Sequence, residues 1–111
     1  MPEIRTHKIL VLGAGNFGTC LSHHLACLGH TVSLWSRTQE VADHINKYHK
    51  NPKYLSAVEL SHNINAVTHF DELDVAQCQM IILATPTQAL REVLTDFRPW
   101  VHSSHLIVCA A

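Results

Sequence analysis

Ile9-Leu10-Val11-Leu12-Gly13-Ala14-Gly15-Asn16-Phe17-Gly18 is the most informative stretch of the chain. Four apolar residues run into glycines spaced G-x-G-x-x-G, and a helical pattern opens behind them, from Asn16 to Leu28. Glycines at that spacing are a weak signal alone. Strand, then glycines, then helix is the setting of a dinucleotide-binding turn. Gly13 lets the chain reverse tightly. Gly15 lacks a Cβ, so a pyrophosphate can approach the backbone, and Gly18 lets the helix pack closely on the strand. The helix then directs free N–H groups and its positive dipole end at the phosphates. The plainer alternative is a glycine-rich turn that binds nothing.

Outward from this turn, the elements alternate. His7–Leu12 reads as a first strand, a continuous apolar run suited to a central parallel position. In the helix that follows, Phe17, Leu21, Leu25 and Leu28 recur at three- and four-residue intervals and predict its buried face. Gly29 stands where a C-terminal glycine belongs. Thr31–Trp35 is a second strand, rich in β-branched and aromatic residues. Thr38 is placed to cap a second helix with Val41, Ile45 and Tyr48 on one face. Asn51-Pro52-Lys53-Tyr54-Leu55 breaks that helix and begins a loop.

Ile64–Thr68 is a short third strand, and Asp71–Cys78 suggests a brief helix with Leu73 and Ala76 inward. Met80–Ala84 is a fully apolar fourth strand. Thr85-Pro86-Thr87-Gln88 has the form of a capping box with proline at the first helical position. Leu90, Val93, Leu94 and Phe97 form the next buried face, Pro99 ends it, and Leu106–Ala111 is a fifth strand. This alternation predicts an α/β fold: a doubly wound, Rossmann-like parallel sheet in the order 3-2-1-4-5, with right-handed crossovers. Ligand sites in such a sheet lie at the carboxyl ends of strands 1 and 4, where the order reverses. Gly13–Gly18 and Ala84–Gln88 both fall there.

The end of the second strand is the other informative place. About 20 positions past the glycines, an acidic residue would hold the ribose 2′-hydroxyl of NAD, whereas an arginine accommodates the 2′-phosphate of NADP. Ser36 and Arg37 stand there, with no acid beside them in sequence. Arg37 suits a phosphate through its planar fork, or stacks on an adenine. A cation near a helix N-terminus is disfavoured unless an anion accompanies it. NADP is therefore the favoured cofactor, with NAD the other. The plainer alternative is a solvated arginine beside a helix start.

Composition narrows the remaining classes. The 111 residues suit one small domain, 47% of them are apolar, and the net charge is −1 with histidine neutral. No basic stripe marks a nucleic-acid partner. No apolar run is long enough to span a bilayer, and the first residues lack the apolar core of a secretory signal, so the cytoplasm is the expected compartment. Cys20, Cys27, Cys78 and Cys109 form no C-x-x-C pair and read as small buried apolar residues. Ten histidines are present, scattered without metal-ligand spacing, and no metal is expected.

Four segments, in order, resemble the N-terminal domain of the soluble NAD(P)-dependent glycerol-3-phosphate dehydrogenases. They are Val11–Thr19, Leu34-Trp35-Ser36-Arg37, Asn51-Pro52-Lys53-Tyr54-Leu55 and the run from Ala84 to Arg91. The resemblance implies an oxidoreductase that interconverts dihydroxyacetone phosphate and sn-glycerol 3-phosphate, a reaction that feeds glycerolipid synthesis. It implies cofactor contacts from Gly13, Ala14, Gly15, Asn16, Phe17 and Gly18. Ser36 and Arg37 are expected on the adenosine side, Tyr54 in the same crevice, and Thr85 and Pro86 beneath the nicotinamide half. Phe17 also suits plain packing, and Thr85 and Pro86 plain capping.

One departure is large. In the family the fifth strand runs directly into a lysine–glycine pair whose lysine serves catalysis, and the sequence ends at Ala111, before that position. The expectation is therefore a single NAD(P)-binding domain over residues 1–111, inactive alone, with an uncovered fifth strand and no catalytic residue. The small phosphorylated substrate would be met through a helical domain outside this sequence, in an enzyme expected to be a homodimer. Two other readings stay open: a stand-alone dinucleotide-binding module without chemistry, and the cofactor domain of another two-domain dehydrogenase acting on hydroxy acids or imines.

Overall fold

The computed structural model describes residues 6–69, 75–85, 91–93, 95 and 106–109. The elements are β1 (Lys8–Leu12), α1 (Asn16–Cys27), β2 (Thr31–Trp35), α2 (Gln39–Tyr48), β3 (Ile64–Val67), a 3-10 turn (Val75–Gln77), β4 (Met80–Leu83) and β5 (Leu106–Cys109). All five strands are parallel, in the order β3-β2-β1-β4-β5. The expected α/β sheet and its order are present; β2 has the bounds read in the sequence, and one end each of β1, β3 and β4 differs by one residue.

β1 explains why its sequence is an unbroken apolar run. Ile9 and Val11 enter a core shared with α1 and α2, whereas Leu10 and Leu12 enter a second core with Val75, Cys78 and Val93. Each of the four is at most 2% exposed. Burying such a side chain contributes roughly 1.5–3 kcal/mol, so this strand anchors both faces of the sheet.

α2 has the amphipathic face its sequence predicts over most of its length. Thr38 Oγ1 accepts from the Val41 N–H, and Val41, Ala42 and Ile45 are buried. Tyr48 departs from the expected face and is 53% exposed. The chain leaves the helix at His49, in the left-handed region at φ 57, and the Tyr48 ring rests on His44 instead. Asn46, on the same helix, donates to the Ala66 carbonyl and accepts from the Ala66 N–H, at 2.8 Å each. It thereby satisfies both backbone groups of one residue of β3.

α1 departs further. Its buried residues are Gly18, Thr19, Ser22 and Ala26, not the expected stripe. Phe17 and Leu28 are each 54% exposed, and Leu21 and Leu25 are only partly buried. The cause is distance. A Cβ on Gly18 would collide with the Gly13 carbonyl and approach the Ala84 Cβ to 3.3 Å. The helix lies so close to the turn that only small residues fit between, and the large ones are turned outward. The same geometry corrects the cysteines: Cys20 and Cys27 lie on the outer side of α1 and are exposed, and Cys78 alone of the described three is buried. Gly29, at φ 100, ends the helix as expected.

Of the brief helix read over Asp71–Cys78, Val75–Gln77 form a 3-10 turn, with Val75 and Cys78 buried. Leu73 and the side chain of Ala76 lie outside the described residues. So do Pro86, Thr87, Gln88, Leu90, Leu94, Phe97, Pro99, Ala110 and Ala111, and the side chain of Cys109; Val93 is buried as expected.

Candidate functional site

Three strand ends are tied together where the order reverses. The Gly13 N–H donates to the Trp35 carbonyl at 3.2 Å, joining β1 to β2. The Leu12 carbonyl accepts from the Ala84 N–H at 3.0 Å and from Thr85 Oγ1 at 2.8 Å, joining β1 to β4. These bonds fix the turns that follow as one rim. Above it opens a crevice of about 290 Å³.

Gly13, Ala14 and Gly15 form one wall of this crevice, and Trp35, Ser36, Arg37, Thr38 and Val41 form the side toward β2 and α2. Thr85 closes the β4 end, and Lys53 and Tyr54 reach in from the loop after α2. Among the described residues that line it, two are cations and none is an acid, which favours an anion. α1 adds to this. Its N-cap is Gly15, with no side-chain cap and no acid in its first turn, so the positive end of its dipole is left open.

The glycines divide their duties. Gly13 has φ 125, and a Cβ there would lie 2.9 Å from the Ala84 carbonyl oxygen. Gly18 is required by the close helix. Gly15 is different: its φ of −79 is ordinary, and a Cβ there meets nothing within 4 Å among the described residues. Among the described residues nothing demands glycine at 15. The bare backbone faces open crevice, and a pyrophosphate-bearing ligand fits such a cradle.

Of the residues singled out in the sequence, Gly13, Ala14, Gly15, Ser36, Arg37, Tyr54 and Thr85 are brought together in the crevice. Asn16 and Phe17 are exposed at the start of α1 and do not line it, Gly18 is buried beneath the turn, and Pro86 lies outside the described residues. Ser36 is buried, with its hydroxyl bonded to the Thr38 backbone N–H and carbonyl. Arg37 has a partner from another element. Its Nη2 lies 3.5 Å from Glu92 Oε2, with the two side chains 55% and 76% exposed. An ion pair so exposed is worth little and yields to a better anion.

In the sequence Lys53 and Asn51 read only as loop residues, not as site residues. Lys53 carries the second cation of the crevice. Asn51 is fully buried behind it, bonded to the Ala14 carbonyl and to Thr19 Oγ1. The Asn-Pro step signals a turn, but nothing local in the sequence points to partners more than thirty positions away.

This geometry can be set beside known proteins. The family model for the N-terminus of NAD-dependent glycerol-3-phosphate dehydrogenase matches residues 8–111. The chain belongs to this family. A glycerol-3-phosphate dehydrogenase [NAD(P)+] of Bacillus velezensis is 41% identical over 101 residues, which is 91% of this chain and 29% of that protein. The solved structure of glycerol-3-phosphate dehydrogenase from Coxiella burnetii superposes with a TM-score of 0.86 at 28% identity, over 95% of this chain and 32% of that one. That of Plasmodium falciparum glycerol-3-phosphate dehydrogenase gives 0.79 at 29% identity, over 94% and 32%. The chain thus spans under a third of the length of each of these three relatives. Among the described residues no helix is long and apolar enough to cross a membrane.

Proposed function

We propose that residues 1–111 are the NAD(P)-binding unit of a glycerol-3-phosphate dehydrogenase. The observation that carries this reading is Gly15, a glycine that no contact among the described residues requires, open to a crevice with two cations and an uncapped helix start. Gly13–Gly15 and the first turn of α1 would hold the pyrophosphate through backbone N–H groups. Trp35, Val41 and Arg37 would receive the adenosine end. Thr85 would hold the β4 rim beneath the other half of the cofactor. When bound, the nicotinamide supplies hydride transfer. This chain's residues supply binding and orientation, and none is assigned to catalysis. In the whole enzyme the reaction is the interconversion of dihydroxyacetone phosphate and sn-glycerol 3-phosphate. The phosphorylated substrate would be met by the remainder of a cytoplasmic, homodimeric protein.

NADP is the favoured cofactor in this reading. Arg37 would meet the 2′-phosphate at the end of β2, and its pairing with Glu92 is a weak, exposed one that a phosphate would displace. Calorimetric titration with NADPH and with NADH tests the proposal. NADPH is expected to bind more tightly, and Arg37→Ala to weaken NADPH by roughly tenfold while moving NADH much less. A folded chain that takes up neither nucleotide would refute the reading. Equal losses for both in Arg37→Ala would refute the NADP preference alone.

A further inference from the structure

Asn51 lies behind the crevice, between the glycine turn and the loop after α2, and is 0% exposed. Its Nδ2 donates to the Ala14 carbonyl at 3.0 Å and to Thr19 Oγ1 at 2.9 Å. Its Oδ1 accepts from the Lys53 N–H at 3.0 Å and the Tyr54 N–H at 3.2 Å. An asparagine amide has two N–H donors and two acceptor lone pairs, and here all four are used. No other side chain of that length offers two donors and two acceptors on opposite ends. Aspartate has the acceptors without the donors, and alanine has neither.

The two halves of this amide serve different segments. The donor half holds the glycine turn at Ala14, next to the bare backbone of Gly15. The acceptor half folds the chain after Pro52 so that Lys53 and Tyr54 face the crevice. The loop needs such a constraint. Leu55 sits at φ 56, a conformation a leucine keeps only when its surroundings fix it. The far side of the loop is held separately, by the Leu60 N–H on the His49 carbonyl at 2.7 Å.

We propose that Asn51 is a positioning residue for cofactor binding: it sets the glycine turn and the Lys53–Tyr54 segment in one register, so that the Lys53 ammonium meets the anion held by the turn. This rests on the cofactor reading above. It adds Lys53 as a binding residue and Asn51 as the group through which Lys53 becomes effective.

A double-mutant cycle on this chain tests it, with Asn46→Ala as the control. Asn46 makes two comparable amide bonds to Ala66 of β3 and lines no part of the crevice. The readouts are the NADPH dissociation constant, measured well below the melting point of each variant, and amide hydrogen exchange without nucleotide. Asn51→Ala is expected to weaken NADPH by about tenfold or more, the equivalent of one or two lost hydrogen bonds, and Asn46→Ala by less than about twofold. Lys53→Ala is expected to weaken binding in the native background and to have little further effect in Asn51→Ala. Exchange at the Lys53 and Tyr54 amides is expected to rise in Asn51→Ala and to stay unchanged in Asn46→Ala.

If Asn51→Ala does not fold, Asn51→Asp takes its place. It keeps the loop half and loses the turn half, and its binding loss is expected to lie between those of wild type and a full break. Full independence of the Lys53 and Asn51 effects would overturn the proposal. So would equal binding losses in Asn51→Ala and Asn46→Ala, or unchanged exchange at Lys53 and Tyr54. A wild-type chain that ignores NADPH yet shows the exchange response in Asn51→Ala would refute the cofactor reading and leave the positioning role supported.

Discussion

Helices α1 and α2 share one face of the sheet, and they meet it differently. α2 is capped by Thr38, carries Glu40 in its first turn, and buries Val41, Ala42 and Ile45. α1 has no side-chain cap and no acid in its first turn, and it buries Gly18, Thr19, Ser22 and Ala26. α2 is therefore finished at its start: the Thr38 side chain accepts from one of its free N–H groups, Glu40 stands at its positive end, and its apolar stripe has a core. α1 is incomplete at its start and bare on its inner side. Both features follow if α1 is placed by what its N-terminus must meet. Close packing brings the turn over the ends of the strands, and the open dipole end is left for an anion.

The largest expected effect of breaking this contrast is Gly18→Ala. The added Cβ would drive into the Gly13 carbonyl, a backbone group that cannot step aside. A loss of roughly 3 kcal/mol or more is expected, a large share of the stability of a domain this small. Urea unfolding would show it as a collapse of the transition midpoint. A midpoint near that of wild type would mean that α1 can move off the sheet, and the close-packing account would fail.

Ile45→Ala probes the ordinary helix. Ile45 is 1% exposed in the shared core, and truncation is expected to cost about 2–5 kcal/mol, depending on how far the site collapses. It should leave nucleotide affinity unchanged once the protein is folded. Measured by thermal melts and NADPH titration together, a large affinity loss at modest destabilisation would erase the distinction between the two helices.

Ser22→Ala is the smallest change and the only one of the three expected to help. The Ser22 hydroxyl is buried and has no hydrogen-bond partner among the described residues. The site needs a small side chain, and alanine supplies one without an unsatisfied oxygen. A gain of up to about 1 kcal/mol is expected, or a few degrees in melting temperature. A clear loss would show that the hydroxyl is bonded after all.

The same contrast shows what the sequence could and could not disclose. The sheet and its order were legible because β1 and β4 read as unbroken apolar runs and glycines mark the turn between β1 and α1. α2 was legible because period and burial coincide there. In α1 the period of Phe17, Leu21, Leu25 and Leu28 is real, yet the face is wrong. A hydrophobic period locates a buried side only when large residues have room, and Gly18 removes the room. In the crevice, Gly13, Gly15 and Arg37 were found because their signals are local, and Tyr54 through the resemblance of the loop it sits in. Asn51, Lys53 and the Arg37–Glu92 pair depend on segments that meet only after the chain has folded.

The glycine at position 15 carries the central claim, because it alone separates ligand from fold. Its backbone angles suit alanine and an added Cβ meets no described residue, so Gly15→Ala should fold as well as wild type or gain roughly 0.4–1 kcal/mol. The decisive measurement is the NADPH dissociation constant of Gly15→Ala beside its melting temperature. The prediction is a melting temperature equal to or above wild type, with NADPH binding weakened by roughly tenfold or more. A variant that melts like wild type and binds NADPH equally well would contradict the claim that the bare backbone at Gly15 is the seat of the pyrophosphate.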